Sequence, residues 1–228
     1  MTRPPDQWPV GGSYTFGGRQ GRMSPTRQRA FDVLVPRYLL TPHDAGSLAA
    51  TPISDAGLKR LIVEIGCGKG EATAAMAPGE PDALVIACEP NEATIAHLAW
   101  LLDAGDVTNV RLWIGDAFDL LAVLEPHTIA EVRIWFPDPW PKPRHAHKRL
   151  FTPLRLGLIV DALAVGARLR LATDDLAYAA EALAAIDAEP RLRGAVVPRP
   201  GHRPVTTFEA RGLRAGHPAV DIVAVREH

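Results

Sequence analysis

From residue 61 onward, short apolar runs alternate with longer segments in which apolar residues recur at helical spacing. Strands that are separated by helices connect through right-handed crossovers over one shared sheet. The pattern therefore predicts a doubly wound α/β fold with a mostly parallel sheet. The apolar runs are residues 61–65, 84–88, 110–114, 132–136, 168–172 and 220–225, and the helix-like segments are residues 70–77, 91–104, 117–124, 151–164 and 175–187.

Three stretches lie outside this rhythm, although 228 residues fit one domain with extensions better than two full domains. Residues 1–40 begin polar and rich in Gly and Arg, and a helical pattern follows over 26–40, which predicts a flexible N-terminal arm with a short helix. Residues 41–228 are expected to form the main domain. Within it, residues 41–60 are interrupted by Pro, Gly, Asp and Ser, which predicts a loop. Residues 189–218 are rich in Pro, Gly and Arg, which predicts a long functional loop.

The bulk composition narrows the class of protein. The sequence has no run of about 18 apolar residues, so no membrane span is expected, and residues 1–10 lack the apolar stretch of an export signal. Only two cysteines are present, Cys67 and Cys88, which favours a reduced, cytoplasmic protein without disulfides. The net charge of −1 argues mildly against a nucleic-acid partner, but the charge is unevenly distributed and local patches matter more than the total.

Acidic side chains follow four successive predicted strands. The first strand contains Glu64 and runs into glycines at positions 66, 68 and 70, which permit a tight turn and a close approach of the backbone to a ligand. The next three strands are followed by Glu89, Asp116 and Asp138. Because ligands of open parallel sheets bind beside the carboxyl ends of the strands, we expect these groups to lie at one ligand-binding edge.

Four carboxylates favour S-adenosylmethionine over a dinucleotide as the ligand. Carboxylates repel a pyrophosphate, whereas S-adenosylmethionine has no phosphate and presents an ammonium, a sulfonium, a ribose diol and an adenine amino group. The glycines also lack the third spacing of the dinucleotide fingerprint. Glu89 lies about 20–25 residues beyond the glycines, where such folds place the acid that binds the ribose. Capping of a helix is the alternative role for Asp116, whereas Glu64 inside an apolar strand needs a partner or a ligand.

The segment 133–149, Arg-Ile-Trp-Phe-Pro-Asp-Pro-Trp-Pro-Lys-Pro-Arg-His-Ala-His-Lys-Arg, is the most specific feature of the chain. Its alternating prolines stiffen the loop and direct Asp138 and Trp140. An aromatic ring beside a carboxylate can stack on a base and accept hydrogen bonds from it, and guanine presents N1–H and an amino group on one edge. The basic run from Lys142 to Arg149 offers contacts to phosphates. A solvated basic turn before a helix is the alternative interpretation.

Two later polar clusters and the histidines give weaker indications of function than the segment 133–149. Thr173-Asp174-Asp175 and the stretch 206–212 follow predicted strands, and capping or turn formation is the more frequent role of either pattern alone. His145 and His147 lie two residues apart, and the cysteines are not at a ligand spacing. A zinc site needs four convergent ligands, so no metal is expected.

Taken together, these motifs resemble those of bacterial tRNA (guanine-N7)-methyltransferases, which are Rossmann-like enzymes that use S-adenosylmethionine. The matching segments occur in the family's order over most of the chain. The resemblance implies a Rossmann-like doubly wound sheet whose last strand is antiparallel, and methylation of a guanine in the variable loop of tRNA. The segments are Gly21-Arg22-Met23, Glu64-Ile65-Gly66-Cys67-Gly68-Lys69-Gly70, Glu89-Pro90-Asn91, Gly115-Asp116-Ala117, Phe136-Pro137-Asp138-Pro139-Trp140-Pro141-Lys142, Thr173-Asp174 and Thr207-Phe208-Glu209-Ala210-Arg211-Gly212.

The resemblance also implies site residues. Asp138 is similar to the residue that marks the family's active site. Asp175 stands where the family usually has an aromatic residue, and Pro143 and Ala146 interrupt the basic run. We therefore expect the affinity of the basic run for phosphates to be weaker than is usual in the family, or residues 191–214 and the N-terminal arm to supply it. The implied cofactor contacts are Glu64, Gly66, Gly68, Glu89, Asp116 and Asp138, and the implied substrate contacts are Lys142, Asp174, Thr206, Thr207, Phe208 and Glu209.

The predicted chemistry needs no general base, because N7 of guanine carries a lone pair and no proton. We expect catalysis to come from placing N7 in line with the methyl–sulfur bond, with Asp138 and Glu209 holding the guanine donors. The alternatives are a methyltransferase of a small molecule or a protein, which has no need of the basic run, and an RNA-binding module without catalytic activity, which has no need of the intact acids. An NAD-dependent dehydrogenase is disfavoured by the acids and the glycine spacing. The sequence leaves open a monomer or a homodimer.

Overall fold

The computed structural model describes residues 23–48 and 58–228, so Gly21-Arg22 and most of the predicted arm lie outside the described residues. The helices are α1 (Pro25–Val33), α2 (Val35–Tyr38), α3 (Pro42–Ser47), α4 (Glu71–Met76), α5 (Glu92–Ala104), α6 (Ala117–Leu121), α7 (Pro153–Ala162), α8 (Leu176–Ala188) and α9 (Thr207–Arg214). The strands are β1 (Arg60–Ile65), β2 (Ala83–Glu89), β3 (Val110–Ile114), β4 (Ile129–Trp135), β5 (Leu163–Thr173), β6 (Leu192–Val197) and β7 (Val220–Arg226).

The seven strands form one sheet in the order β3-β2-β1-β4-β5-β7-β6. Strands β1 to β5 run parallel, and β7 is antiparallel to both of its neighbours. The strand order reverses beside β1, between β1 and β4, and open α/β sheets bind ligands at such a switch point. The predicted Rossmann-like, doubly wound sheet with an antiparallel last strand is confirmed.

The sheet buries apolar side chains on both faces because successive residues of a strand point to opposite sides. In β1, Leu61 and Val63 pack in the core that contains residues of α6, α7 and α8, whereas Ile62 packs in the core that contains residues of α2 and α5. Glu64, two residues after Ile62, points to the same face of the sheet and is also buried. The apolar runs therefore read as continuous rather than alternating, as expected for strands covered on both faces.

Residues 34–40, at the end of the predicted arm and short helix, pack on the sheet through α2 and bond to β3 through Leu39 and Leu40. The amide of Leu40 donates a hydrogen bond of 2.9 Å to the carbonyl of Leu112 on β3, and Leu39 forms an isolated parallel bridge with the same residue. Val35 and Tyr38 are buried against the helical face of the sheet. This part of the chain therefore covers β3, the strand at one edge of the sheet, whose backbone groups would otherwise be unpaired on that side.

The expectation of one long loop over residues 189–218 is wrong, because this stretch contains β6 and α9. The sequence did not predict strand β6, because the strand contains Gly194 and glycine is depleted in strands. The structure requires a glycine at this position, since a Cβ would lie 2.6 Å from Ile186 of α8. The described part of the predicted loop 41–60 likewise contains α3, which Thr41 and Asp44 begin with a capping box. Among the described residues, no helix is long and apolar enough to span a membrane.

Candidate active site

The turn after β1 exposes its backbone to an open space. Gly66 and Gly68 have φ values of +73° and +54°, and a Cβ at either position would meet no atom within 4 Å. Gly70 has φ +75°, but a Cβ there would lie 2.3 Å from Leu98 of α5. The first two glycines therefore leave room for a ligand beside the backbone, and the third allows α4 and α5 to pack closely.

A cavity of about 360 Å³ lies beside this turn, a size within the usual range of small-molecule sites. Trp135 lies in its wall, and the Nε1–H of this side chain is buried without a hydrogen-bond partner among the residues that the structure describes, which leaves a donor for a ligand with an acceptor. The lining includes three predicted cofactor contacts, Glu64, Gly66 and Gly68, and three predicted substrate contacts, Thr206, Thr207 and Phe208. Sequence reasoning did not select Glu71, Trp135, Phe136 and Arg211, which complete the wall with Cys67, Lys69, Gly70 and Ala72.

Glu64 is a carboxyl group that is 1% exposed, at the end of β1 and in the wall of the cavity. Thr73 of α4 donates a hydrogen bond of 2.9 Å to its Oε2. Burial raises the pKa of Glu64 to about 7, although Thr73 and the charge of Arg133 act in the opposite direction. A cationic group in the cavity would favour the ionised form, so this side chain is suited to an ammonium or a sulfonium.

We expect Glu64→Gln to stabilise the cofactor-free protein at pH 8 and to weaken binding of S-adenosylmethionine at least about tenfold. Since the folded pKa of about 7 exceeds the unfolded value near 4.5, the contribution of Glu64 to stability is complete below pH 4.5 and is lost as the pH rises through 7. Thermal unfolding at pH 5 and pH 8, with calorimetric titration of the cofactor, measures both effects. A variant that is less stable than the wild type at pH 8, or that binds the cofactor equally well, would contradict this role.

Glu89 and Asp116, the acids after β2 and β3, lie outside the lining of the cavity. Glu89 accepts hydrogen bonds from the amides of Gly68 at 3.3 Å and Asn91 at 3.0 Å, so it holds the glycine turn against the start of α5. Burial raises the pKa of Glu89, and the negative charge of Asp138 adds to that rise. Asp116 caps α6 by accepting from the amide of Phe118 at 3.0 Å, which is the alternative that the sequence left open.

The loop after β4 carries two bulky residues in the left-handed region, Phe136 with φ +52° and Trp140 with φ +45°. Such conformations are unfavourable for large side chains and cluster at functional sites. Between them lies Asp138, which is exposed and outside the cavity lining. Arg149 stabilises the loop by donating to the carbonyl of Trp140 at 3.1 and 3.2 Å and by pairing with Glu181 at 2.7 Å.

The basic run after Trp140 divides into residues that build the turn and residues that face solvent. Residues Pro143–Lys148 form a 3-10 turn, and the ammonium of Lys148 lies 4.5 Å from the centroid of the Trp140 ring. Buried Arg155 of α7 donates to the carbonyls of His147 and Arg149 at 2.6 and 2.8 Å. Lys142, Arg144 and His147 are exposed, and the run therefore presents its charges on a fixed turn.

Helix α9 brings the second substrate motif to the cavity. Thr206 caps the helix through its side chain, and the amide of Thr207 donates to Glu71 Oε2 of α4 at 2.5 Å. The ring of Phe208, 52% exposed, lies 5.2 Å from the ring of Phe136. This helix therefore connects the glycine-turn side of the cavity with the loop after β4.

Glu209 is not oriented toward the cavity. It is 3% exposed, and its carboxylate accepts hydrogen bonds from the guanidinium groups of Arg199 and Arg203. Its contact with guanine stays a prediction, and that contact requires one of these ion pairs to break. Asp174 lies against α9, since a Cβ at Gly212 would be 3.2 Å from its Oδ2. Within residues 23–48 and 58–228, no cluster of three or more His, Cys, Asp or Glu is arranged to hold a metal ion.

Comparisons with known proteins agree with this geometry. A family model described as "Putative methyltransferase" matches residues 59–222. The tRNA (guanine-N(7)-)-methyltransferase of Burkholderia mallei is 38% identical over 94% of this chain and 82% of its own length, and that of Nitrosospira multiformis is 36% identical over 92% of both. A 16S rRNA (adenine(1408)-N(1))-methyltransferase from Catenulisporales acidiphilia, solved with its cosubstrate SAM, superposes with a TM-score of 0.53 at 18% identity over 83% of this chain and 92% of that one.

The sheet order, the glycine turn and the acids at the strand ends define a Rossmann-like methyltransferase. Within that class, the identity to relatives over nine-tenths of the sequence shows that the chain belongs to the family of tRNA (guanine-N7)-methyltransferases.

Proposed function

We propose that this protein transfers the methyl group of S-adenosylmethionine to N7 of a guanine in the variable loop of tRNA, in the cytoplasm. One observation carries the proposal: α9 and Phe136, which directly precedes the Pro-Asp-Pro-Trp segment, meet the glycine turn at a single cavity. A donor cavity and a basic, aromatic loop are thereby adjacent, as methylation of a nucleic-acid base requires. The names of the relatives given above state methylation of guanine N7 in tRNA.

The residues of the cavity fit S-adenosylmethionine by their chemistry. Glu64 supplies a buried carboxylate for a cation, and the unpartnered Nε1–H of Trp135 supplies a donor for a carboxylate or a hydroxyl. The sulfonium of the bound cofactor supplies an activated methyl group. We assign the cofactor to Glu64, Gly66, Gly68, Glu89, Asp116 and Asp138, of which Glu89 also shapes the turn and Asp116 also caps α6.

The base is expected to enter between the loop after β4 and α9. We assign substrate contacts to Asp138, Lys142, Asp174, Thr206, Thr207 and Phe208. Phe208 offers an exposed ring for stacking, and Asp138 offers acceptors for the N1–H and amino group of guanine. Holding the donor edge of the base presents N7 from the opposite side of the ring, so positioning replaces acid–base chemistry. Lys142 and Arg144 are exposed on the fixed turn, where they can contact phosphates.

Methyl transfer from labelled S-adenosylmethionine to bulk tRNA, followed by separation of the nucleosides, tests the proposal. We expect 7-methylguanosine as the labelled product, and free guanosine, which lacks phosphate contacts, to be a far poorer acceptor. A protein that binds the cofactor but leaves tRNA unlabelled would contradict the proposal. Label in another nucleoside would preserve the class of enzyme and reject the assigned acceptor atom.

A further inference from the structure

Arg203 is an enclosed cation beside the aromatic wall of the cavity, with a side chain that is 1% exposed. Its Nε and Nη2 donate to the two carboxylate oxygens of Asp221, each at 2.9 Å. Its Nη1 and Nη2 donate to the two oxygens of Glu209 at 2.7 and 3.0 Å. Two parallel hydrogen bonds to each carboxylate fix the direction as well as the distance of both partners.

This double fork connects α9 to the sheet. Asp221 is buried on β7, where it pairs in register with Ala172 of β5 and Val197 of β6. Glu209 lies in the first turn of α9, three residues after the capping residue Thr206. The segment between Thr206 and Glu209 therefore depends on Arg203 for its attachment to the sheet.

The same guanidinium touches the aromatic wall of the cavity. Its central carbon lies 5.6 Å from the Trp135 centroid and 5.5 Å from the Phe136 centroid, which is within the range of cation–π contacts. Phe136 in turn packs against Phe208. A displacement of Arg203 would thus move both the loop after β4 and the exposed ring of α9.

Glu209 has no acceptor capacity left for a base in this arrangement. A carboxylate offers about four lone-pair sites. Arg203 uses two of them, and Arg199 donates to Oε1 at 3.0 Å and to Oε2 at 3.4 Å. The cluster of Arg199, Arg203, Glu209 and Asp221 is also balanced in charge, so a single substitution leaves an uncompensated buried ion.

We propose that Arg203 is a positioning residue for the methyl transfer, which holds Thr206, Thr207 and Phe208 over the cavity by linking Glu209 to Asp221. Glu209 then serves as the attachment point of α9 rather than as a ligand of guanine. The inference rests on the proposed function, because the positioned groups are those assigned to the substrate.

Arg203→Lys keeps the charge but loses the double fork. We expect kcat for tRNA methylation to fall about 30-fold, while the dissociation constants for cofactor and tRNA change less than about threefold, because small misplacements of reacting groups are costly to the reaction step. Asp221→Asn should give the same pattern, since it loosens the same attachment from the sheet side while no residue of α9 or of the cavity wall is replaced. Single-turnover kinetics, calorimetry and filter binding measure the three quantities.

Arg60→Lys is the matched control. Arg60 forms a single fork with Asp82, at 3.0 and 2.7 Å, at the start of β1 and thus at the edge of the sheet opposite the carboxyl ends of the parallel strands. It should retain the wild-type kcat. A kcat within threefold of the wild type for either Asp221→Asn or Arg203→Lys would overturn the inference, and so would a loss confined to an affinity.

A double variant distinguishes attachment from direct contact. If Arg203 acts through Glu209, the combination of Arg203→Lys with Glu209→Gln should be no slower than the slower single variant. Multiplied losses would mean that Glu209 acts independently of Arg203, which would overturn the inference. A wild-type protein that does not methylate tRNA would instead refute the proposed function, so the two failures are distinguishable.

Discussion

Replacement of Asp138 by Asn is expected to lower kcat for tRNA methylation roughly 100- to 1,000-fold, the cost of removing one group that acts on the reacting centre. Asn keeps the shape of the side chain but removes its charge and replaces one acceptor oxygen with a donor. The amide would then face the N1–H and amino group of guanine with one acceptor instead of two. The negative charge that favours transfer of a cationic methyl group to the base would also be lost.

Because of the position of Asp138, an effect of its replacement on catalysis can be separated from an effect on stability. The side chain is exposed, so its replacement should leave the unfolding temperature unchanged. Asp187→Asn, an exposed acid near the end of α8, is the matched control and should retain activity. Steady-state kinetics with tRNA, together with thermal unfolding, measure both properties. Full turnover by Asp138→Asn with unchanged affinity for tRNA would show that Asp138 has neither assigned role.

Gly68→Val should weaken binding of S-adenosylmethionine at least about 100-fold, or roughly 3 kcal/mol. Gly68 has φ +54°, a conformation that costs other residues about 1–2 kcal/mol and suits a β-branched residue worst. A side chain here would point into the open space beside the turn. A changed turn would also shift the amide that donates to Glu89.

Gly157→Ala provides the control for a glycine that gains a side chain. Gly157 lies inside α7, and a Cβ there would meet no atom within 4 Å. We expect this variant to bind the cofactor as the wild type does and to be slightly more stable, because Ala restricts the unfolded chain. Calorimetric titration of both variants with S-adenosylmethionine compares them directly. Equal cofactor affinity for Gly68→Val and wild type would place the cofactor elsewhere.

Much of the fold could be predicted because strands covered on both faces read as compact apolar runs. The six predicted strands all occur, and the acids at their ends lie at the carboxyl edge of the sheet. Strand β6 could not be predicted, since Gly194 weakens the strand pattern in the sequence. Only the fold shows that α8 lies too close to this position for a side chain. Helix α9 was missed for a similar reason, because Gly212 lies where Asp174 approaches.

The candidate site could be predicted where one motif suffices and not where distant residues combine. Glu64, Gly66 and Gly68 could be predicted from their place at the end of a strand, and they line the cavity. Arg203 lies in a Pro-rich stretch and pairs with a residue 18 positions later in the sequence. No periodicity connects the two, so only the folded arrangement of β7 and α9 identifies the pair.

The two thiols at the carboxyl edge of the sheet allow local opening of the glycine turn to be measured. Cys67 and Cys88 are buried, and burial raises the pKa of both thiols, so neither is a ready nucleophile in the closed protein. The amide of Cys67 donates to the carbonyl of Cys88 at 3.0 Å, which ties the glycine turn to β2. Cys88 is 1% exposed and lies outside the cavity lining, so a thiol reagent reaches it only when that connection opens. Its rate of labelling therefore measures how often the turn leaves its closed state, as amide exchange does for a backbone.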